Sequence, residues 1–169
     1  MKTLIVIDMQ NDFITGSLGT PEAVAIIPNV KRKIEEYRSR GDKIMFTRDT
    51  HRDNYLDTNE GRHLPVEHCR VMTNGWEIVD GLLTAKDRRF NKHTFGYTRW
   101  EYYLTDKDEI ELIGVCTDIC VISNALILKA QFPENEITVD ASCCAGTTPE
   151  NHKAALQVMK MCQINVKGE

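Results

Sequence analysis

The sequence predicts an α/β fold, a three-layer sandwich with a mostly parallel central sheet and helices on both faces. Two observations predict it. Apolar runs of strand length recur without strict alternation, which suits strands covered on both sides. Between them lie stretches whose apolar residues recur at helical spacing, and strand-helix alternation calls for parallel strands joined by crossovers. At 169 residues the chain is expected to form one domain over 1–169.

Each element has its own signal. Thr3 to Ile7 (TLIVI) reads as a central strand. Ile26 to Arg40 carries Ile27, Val30, Ile34 and Tyr37 at helical spacing, and Gly41 stops it. Lys43 to Thr47 is a second strand. The segment 48–74 is polar and poorly periodic, which predicts an active-site loop with room for a short helix. Glu111 to Val115 is a strand, and Ile119, Ile122, Leu126 and Ala130 then mark a helix. Glu136 to Val139 follows as a strand. The last helix runs from Pro149 or Glu150 to Met161, with proline at its permitted N-terminal place. Gln163 to Val166 closes the chain as a short strand.

Composition narrows the function classes. The net charge of -4, from 25 acidic and 21 basic residues with no long basic run, argues against a nucleic-acid partner. No segment has the length of a membrane span, and the first residues lead into a strand rather than a signal peptide, so no membrane partner and a cytoplasmic location are expected. The six cysteines read as reduced thiols, because Cys116 and Cys120 lack the spacing of a dithiol redox motif and Cys143 and Cys144 are adjacent. No GxGxxG or GxxxxGK[ST] pattern points to a nucleotide.

Parallel sheets bind ligands beyond the C-terminal ends of their strands. Asp8, Asp49, Lys92 and Cys120 lie near such exits, so one crevice could collect them. Cys120 falls in the first turn of the predicted helix, where free N–H groups and the helix dipole favour a thiolate. An acid such as Asp8 could accept the thiol proton, and an ammonium such as Lys92 could tune both. Cys116 also reads as a small buried hydrophobe, and Thr117 and Asp118 as shapers of the strand-to-helix turn. A second constellation is TRDTHRDNYLDTNEGRHLPVEHC. Asp49 and His51 share a face if the chain is extended there, and Glu60 and His68 could return to them. Two imidazoles and two carboxylates suit a divalent ion, although spacing alone leaves the plain polar-loop reading open.

Taken in order, Asp8 in DMQNDF, Lys92 in NKHTF and Cys120 in GVCTDICV resemble the Asp-Lys-Cys triad of the isochorismatase-like cysteine hydrolases. The metal loop is similar to that of the nicotinamidase branch, and the resemblance runs from Leu4 to about Ala155. It implies a parallel α/β sandwich, attack of the cysteine on a carboxamide, release of ammonia and hydrolysis of a thioester. It implies Asp8 as the proton acceptor, Lys92 as the stabilising ammonium, Cys120 as nucleophile, a cis peptide before Cys116, and an oxyanion hole from the N–H groups of Cys116 and Cys120. It also implies Asp49, His51, Glu60 and His68 as ligands to one divalent ion, zinc first, with iron or manganese suited to the same donors. The substrate implied is nicotinamide, in pyridine nucleotide salvage, and the assembly implied is a homo-oligomer.

Other readings stay open beside these. His63 is the alternative metal ligand, and Asp53 and Asp57 could support the ligand histidines. Phe13 could stack on a pyridine ring or close the core. Phe95, Tyr97 and Trp100 are weaker pocket residues, and Trp76 covers the loop base. His93 has no evident role, and His152 reads as a surface or capping residue. Leu64, Pro65 and Val66 stand where many nicotinamidases have an aromatic residue. Another small amide, an N-carbamoyl compound, an isochorismate-like ether, or a nonenzymatic metal-binding or redox-sensing role are the competing functions.

Overall fold

The computed structural model describes residues 2–169. Strand β1 (Lys2–Ile7) is buried from Thr3 onward. Leu4 and Val6 enter one hydrophobic cluster while Ile5 and Ile7 enter another, because successive strand side chains face opposite ways. After the short helices α1 (Asn11–Ile14) and α2 (Pro21–Ala25) comes α3 (Ile27–Arg40). Thr20 caps α2 by accepting from the Ala23 N–H, and α3 ends on Gly41 at φ 72°, the left-handed cap that glycine adopts without a Cβ penalty.

The remaining elements are β2 (Lys43–Asp49), α4 (Asn59–His63), β3 (Arg88–Lys92), β4 (Glu109–Val115), α5 (Ile122–Gln131), β5 (Ile137–Ala145), α6 (Pro149–Met161) and β6 (Asn165–Lys167). The six strands order β3-β2-β1-β4-β5-β6, and all five pairings are parallel. On one face Val30, Ile34 and Tyr37 of α3 pack with Leu4, Val6 and Ile113. On the other, Ala125 and Leu128 of α5 and Leu156 and Met159 of α6 pack with Ile5, Ile7 and Leu112. The expected three-layer sandwich is therefore present.

Strand β3 departs from the sequence reading, which gave 88–92 no strand. Only Phe90 and Lys92 of its five residues are buried, so an edge strand with arginine and asparagine outward carries no apolar signature. Strand β5 runs past the predicted Val139 to Ala145. Cys143 and Cys144 lie on opposite faces of it, and all six cysteines are free. No helix among the described residues is long and apolar enough to cross a membrane.

From β1 the chain moves outward to β2 and β3, then returns to lay β4 on the other side. The β1/β4 boundary is thus the topological switch point, where open parallel sheets leave a crevice at the strand C-termini. Asp8 follows β1, Asp49 ends β2, Lys92 ends β3 and Cys116 follows β4. Gly114, at φ 120°, lets β4 pass so close to β1 that a Cβ there would lie 2.1 Å from the Ile7 carbonyl oxygen.

Candidate active site

The register of β2 and β3 sets Asp49 beside Lys92, and both side chains are buried. The Lys92 ammonium lies 2.6 Å from Asp8 Oδ2 and 3.4 Å from Asp49 Oδ1. It also donates to the Cys120 thiol at 3.4 Å and to the Thr94 carbonyl at 3.3 Å. One cation therefore joins residues from four strand exits. Asp8 stands at φ 48°, a left-handed conformation that aspartate tolerates better than most side chains. Thr47 Oγ1 donates to Asp8 Oδ1 at 2.6 Å and accepts from the Asp8 N–H at 3.2 Å, which holds the carboxylate at the end of β1.

Electrostatics in this buried group follow from desolvation and the single ammonium. Burial raises the pKa of Asp8, opposed by Lys92 and reinforced by Asp49. Burial works against the Lys92 ammonium, yet Asp8, Cys120 and Asp49 hold its pKa well above the ordinary lysine value. Burial likewise pushes the Cys120 thiol well above its usual value, with Lys92 opposing and Asp8 and Asp49 adding to the rise. This corrects the expectation of a stabilised resting thiolate: removal from water outweighs the local positive charge.

The helix start also differs from expectation. Thr117–Val121 forms one π turn and the α-helix begins only at Ile122. The Cys116 carbonyl accepts from the N–H groups of Ile119 at 3.1 Å and Val121 at 3.0 Å, so Cys120 sits in a widened turn of the kind that recurs at functional sites. The Val115–Cys116 peptide is cis, as expected. The Cys116 thiol is pushed up to about 12, first by burial and then by Asp118 and Asp8; it is only partly buried and borders the cavity, where the sequence reading expected a buried hydrophobe.

Asp49, His51, Glu60 and His68 each offer one ligand atom, and these atoms all lie within 4.8 Å of one another. His51 Nε2 is 2.9 Å from Asp49 Oδ2 and 3.5 Å from Glu60 Oε1, while His68 Nε2 is 3.4 Å and 3.7 Å from the same two atoms. His68 Nδ1 bonds the Val66 carbonyl at 2.7 Å, so the proton belongs on Nδ1 and the Nε2 lone pair faces the cluster. Burial works against the Asp49 carboxylate, but Lys92, His51 and His68 hold it far below the usual carboxylate range. Four converging nitrogen and oxygen donors with an oriented imidazole fit a divalent ion of the zinc, iron or manganese kind.

The alternatives fall away on position. His63 is exposed and its Nδ1 bonds the Asn59 carbonyl at 2.8 Å, outside the cluster. Asp53 and Asp57 are both exposed, and the Asp53 carboxylate pairs with Arg70.

The cluster and Cys120 border a cavity of about 1020 Å³ that Phe13, Leu64, Phe95 and Ile119 also line. Phe13 is buried in the core, borders the cavity and has its ring centroid 5.5 Å from that of His68. Tyr97 and Trp100 instead pack with Phe90 away from the cavity, and Trp100 is fully buried. Trp76 covers the loop base, donating to Thr50 Oγ1 at 2.9 Å beneath the Arg48 guanidinium.

Residues 2–167 match the family model described as an isochorismatase domain. The chain belongs to the isochorismatase family. Within that family it is 25% identical to the nicotinamidase of Saccharomyces cerevisiae, over 98% of this chain and 99% of that one. It is 32% identical to a protein of Arabidopsis thaliana named "probable inactive nicotinamidase", over 97% and 89%. The crystal structure of a pyrazinamidase of Pyrococcus horikoshii in complex with zinc superimposes with a TM-score of 0.86 at 29% identity, covering 98% and 97%.

Two side chains in this isochorismatase-like hydrolase support the site without having been singled out in the sequence. Gln10 is fully buried, donates to the carbonyls of Asp49 at 2.8 Å and Trp76 at 2.9 Å, and accepts from the Asp49 N–H at 2.7 Å. It thus fixes the end of β2. Asn124 donates to the Cys120 carbonyl at 2.8 Å and accepts from the Tyr97 N–H at 2.9 Å. Its place four residues after Cys120, one helical turn on, was the available signal.

Proposed function

We propose that the chain is a metal-containing cysteine amidohydrolase of the nicotinamidase type, converting nicotinamide to nicotinate and ammonia. The observation that carries this reading is the buried Lys92 ammonium, within 3.4 Å of the Cys120 thiol, 2.6 Å of Asp8 and 3.4 Å of Asp49. It links a buried base to the nucleophile and the ligand cluster, and these last two border one cavity. The yeast nicotinamidase and the zinc-bound pyrazinamidase among its relatives support the same assignment.

In this mechanism Asp8 takes the Cys120 proton as Sγ attacks the carboxamide carbon. A thiol whose pKa is raised needs such a base at the moment of attack. The N–H groups of Cys116 and Cys120 receive the developing oxyanion, where fixed donors cost no reorganisation. Asp8 then returns the proton to the departing nitrogen, the C–N bond breaks and ammonia leaves a thioester on Cys120. Water loses a proton to Asp8 and attacks the thioester, the C–S bond breaks, Asp8 returns that proton to sulfur, and the nicotinic acid formed releases its remaining proton to solvent to become nicotinate. Lys92 stays charged throughout and balances Asp8. Asp49, His51, Glu60 and His68 would hold one divalent ion, zinc first, which when bound would supply a Lewis acid for the pyridine nitrogen. Assembly as a homo-oligomer belongs to the same proposal.

One observation favours a second reading. Leu64, rather than an aromatic residue, borders the cavity of about 1020 Å³, leaving room for another small amide or an N-carbamoyl compound. A metal-replete ammonia-release assay on nicotinamide, pyrazinamide and aliphatic amides, comparing wild type with C120A, decides between them. Turnover of pyridine amides that vanishes in C120A supports the proposal. Turnover of other amides alone favours the second reading, and undiminished turnover by C120A removes Cys120 as nucleophile.

A further inference from the structure

We infer that His152 is a positioning residue for the nucleophile turn, acting through Thr117. Thr117 follows Cys116 directly and is fully buried, and its Oγ1 hydrogen-bonds His152 Nδ1 at 2.8 Å. The imidazole comes from a well-anchored place, the first turn of α6. Thr148 caps that helix by accepting from the Asn151 N–H at 3.1 Å, and the His152 N–H donates to the Thr148 carbonyl at 2.9 Å.

A second tether acts beside it. Asp118 accepts from the Thr147 N–H at 2.8 Å and from the Thr147 hydroxyl at 2.6 Å. Gly146 threads between the two anchors, since a Cβ there would lie 2.9 Å from both Asp118 Oδ1 and the His152 Cβ. The first two residues of the π turn are thus fastened to the start of α6, and Cys120 lies three positions beyond Thr117. These side-chain tethers add to the backbone bonds that the Cys116 carbonyl accepts from Ile119 and Val121 within the turn. Burial lowers the His152 pKa, with Asp118 and Glu169 opposing and Lys153 assisting, and the neutral ring suits a hydroxyl partner.

The role rests on the proposed amide hydrolysis, in which displacement of the Cys116 and Cys120 groups by a fraction of an ångström costs rate more than binding. The test is ammonia-release kinetics, thermal midpoint and site-resolved alkylation of Cys120 by iodoacetamide for H152A, H152N, T117V and T117S. H152A is expected to lower kcat about 10- to 100-fold with KM within about 2-fold. H152N, whose amide reaches the place of Nδ1, and T117S, which keeps the hydroxyl, should return to within about 3-fold of wild type, and T117V should match H152A. Alkylation of Cys120 should slow in H152A and T117V and recover in the conservative variants, and this readout holds whatever amide the enzyme takes. If H152A does not fold, the T117V and T117S pair decides alone. Wild-type kcat and alkylation in T117V, or equal impairment of H152A and H152N, would overturn the inference.

Discussion

Lys92 and Lys33 each stand between two carboxylates, at different depths of the same sheet, and they do different things. Lys33 lies 3.0 Å from Glu111 Oε1 and 2.8 Å from Asp140 Oδ2. There the remaining carboxylate oxygens are also taken: Tyr37 and Lys167 donate to Glu111 Oε2 at 2.7 Å and 3.0 Å, and Ser142 donates to Asp140 Oδ1 at 2.6 Å. Lys92 has the same two-carboxylate surroundings, but its third neighbour is a thiol that borders the cavity. One arrangement ties α3, β4, β5 and β6 together. The other leaves a thiol bordering open volume, with a buried carboxylate behind it across the shared ammonium. Paired charge becomes chemistry only where a reactive atom and room for substrate accompany it.

The comparison breaks most visibly if the two lysines are exchanged for methionine. K92M and D8N should each lower kcat by about 10²- to 10⁴-fold, the range of a lost acid-base or charge-stabilising group, while K33M should leave kcat within about 2-fold of wild type. Steady-state ammonia release measures all three, and an inactive K33M would erase the distinction. Next in size, H51A should lose bound divalent ion, with metal affinity down at least about 100-fold and circular dichroism unchanged. Elemental analysis of the purified variant reads the stoichiometry, and a full equivalent of metal would count against the ligand set.

The Lys33 side should answer in stability instead. K33M is expected to cost about 1–3 kcal/mol in urea unfolding, less than a fully buried pair because its side chain retains 14% exposure. D140N carries the matching pH dependence. Burial raises the Asp140 pKa, but Lys33 and Ser142 outweigh it and hold the group below its ordinary value. A depressed carboxylate stabilises the fold above its unfolded pKa and loses that contribution as pH falls through the folded one. The gap between wild type and D140N should therefore be full at pH 7 and narrow below about pH 4; a gap that widens on acidification would contradict it. Smallest is Y37F, expected to cost about 1 kcal/mol for one hydrogen bond, with activity untouched.

Much of this organisation is legible in the sequence because burial and chemistry coincide there. The TLIVI run marks β1 since both its faces are covered, and Asp8 stands out as the first charge after it. DxH with Glu60 and His68 is legible only through the family resemblance, because Asp53, Asp57, His63 and Glu67 offer the same kinds of donor in the same loop. What escapes is whatever depends on partners remote in sequence. Strand β3 hides behind its solvent-facing arginines. Gln10 looks like an ordinary loop amide until β2 is laid beside it, and His152 looks like a surface residue until α6 meets Thr117. The thiol's protonation is the sharpest case: helix position points to a thiolate, but only the three-dimensional burial reverses the sign.

The central claim is that Cys120 carries the acyl group, and acid-quenched peptide mass spectrometry of the metal-loaded enzyme during turnover of nicotinamide tests it most directly. The account predicts a nicotinoyl thioester on the Cys120 peptide, more abundant early in the reaction and gone once substrate is spent. Sustained turnover with every Cys120 peptide unmodified, and an equally active C120A variant, would contradict it.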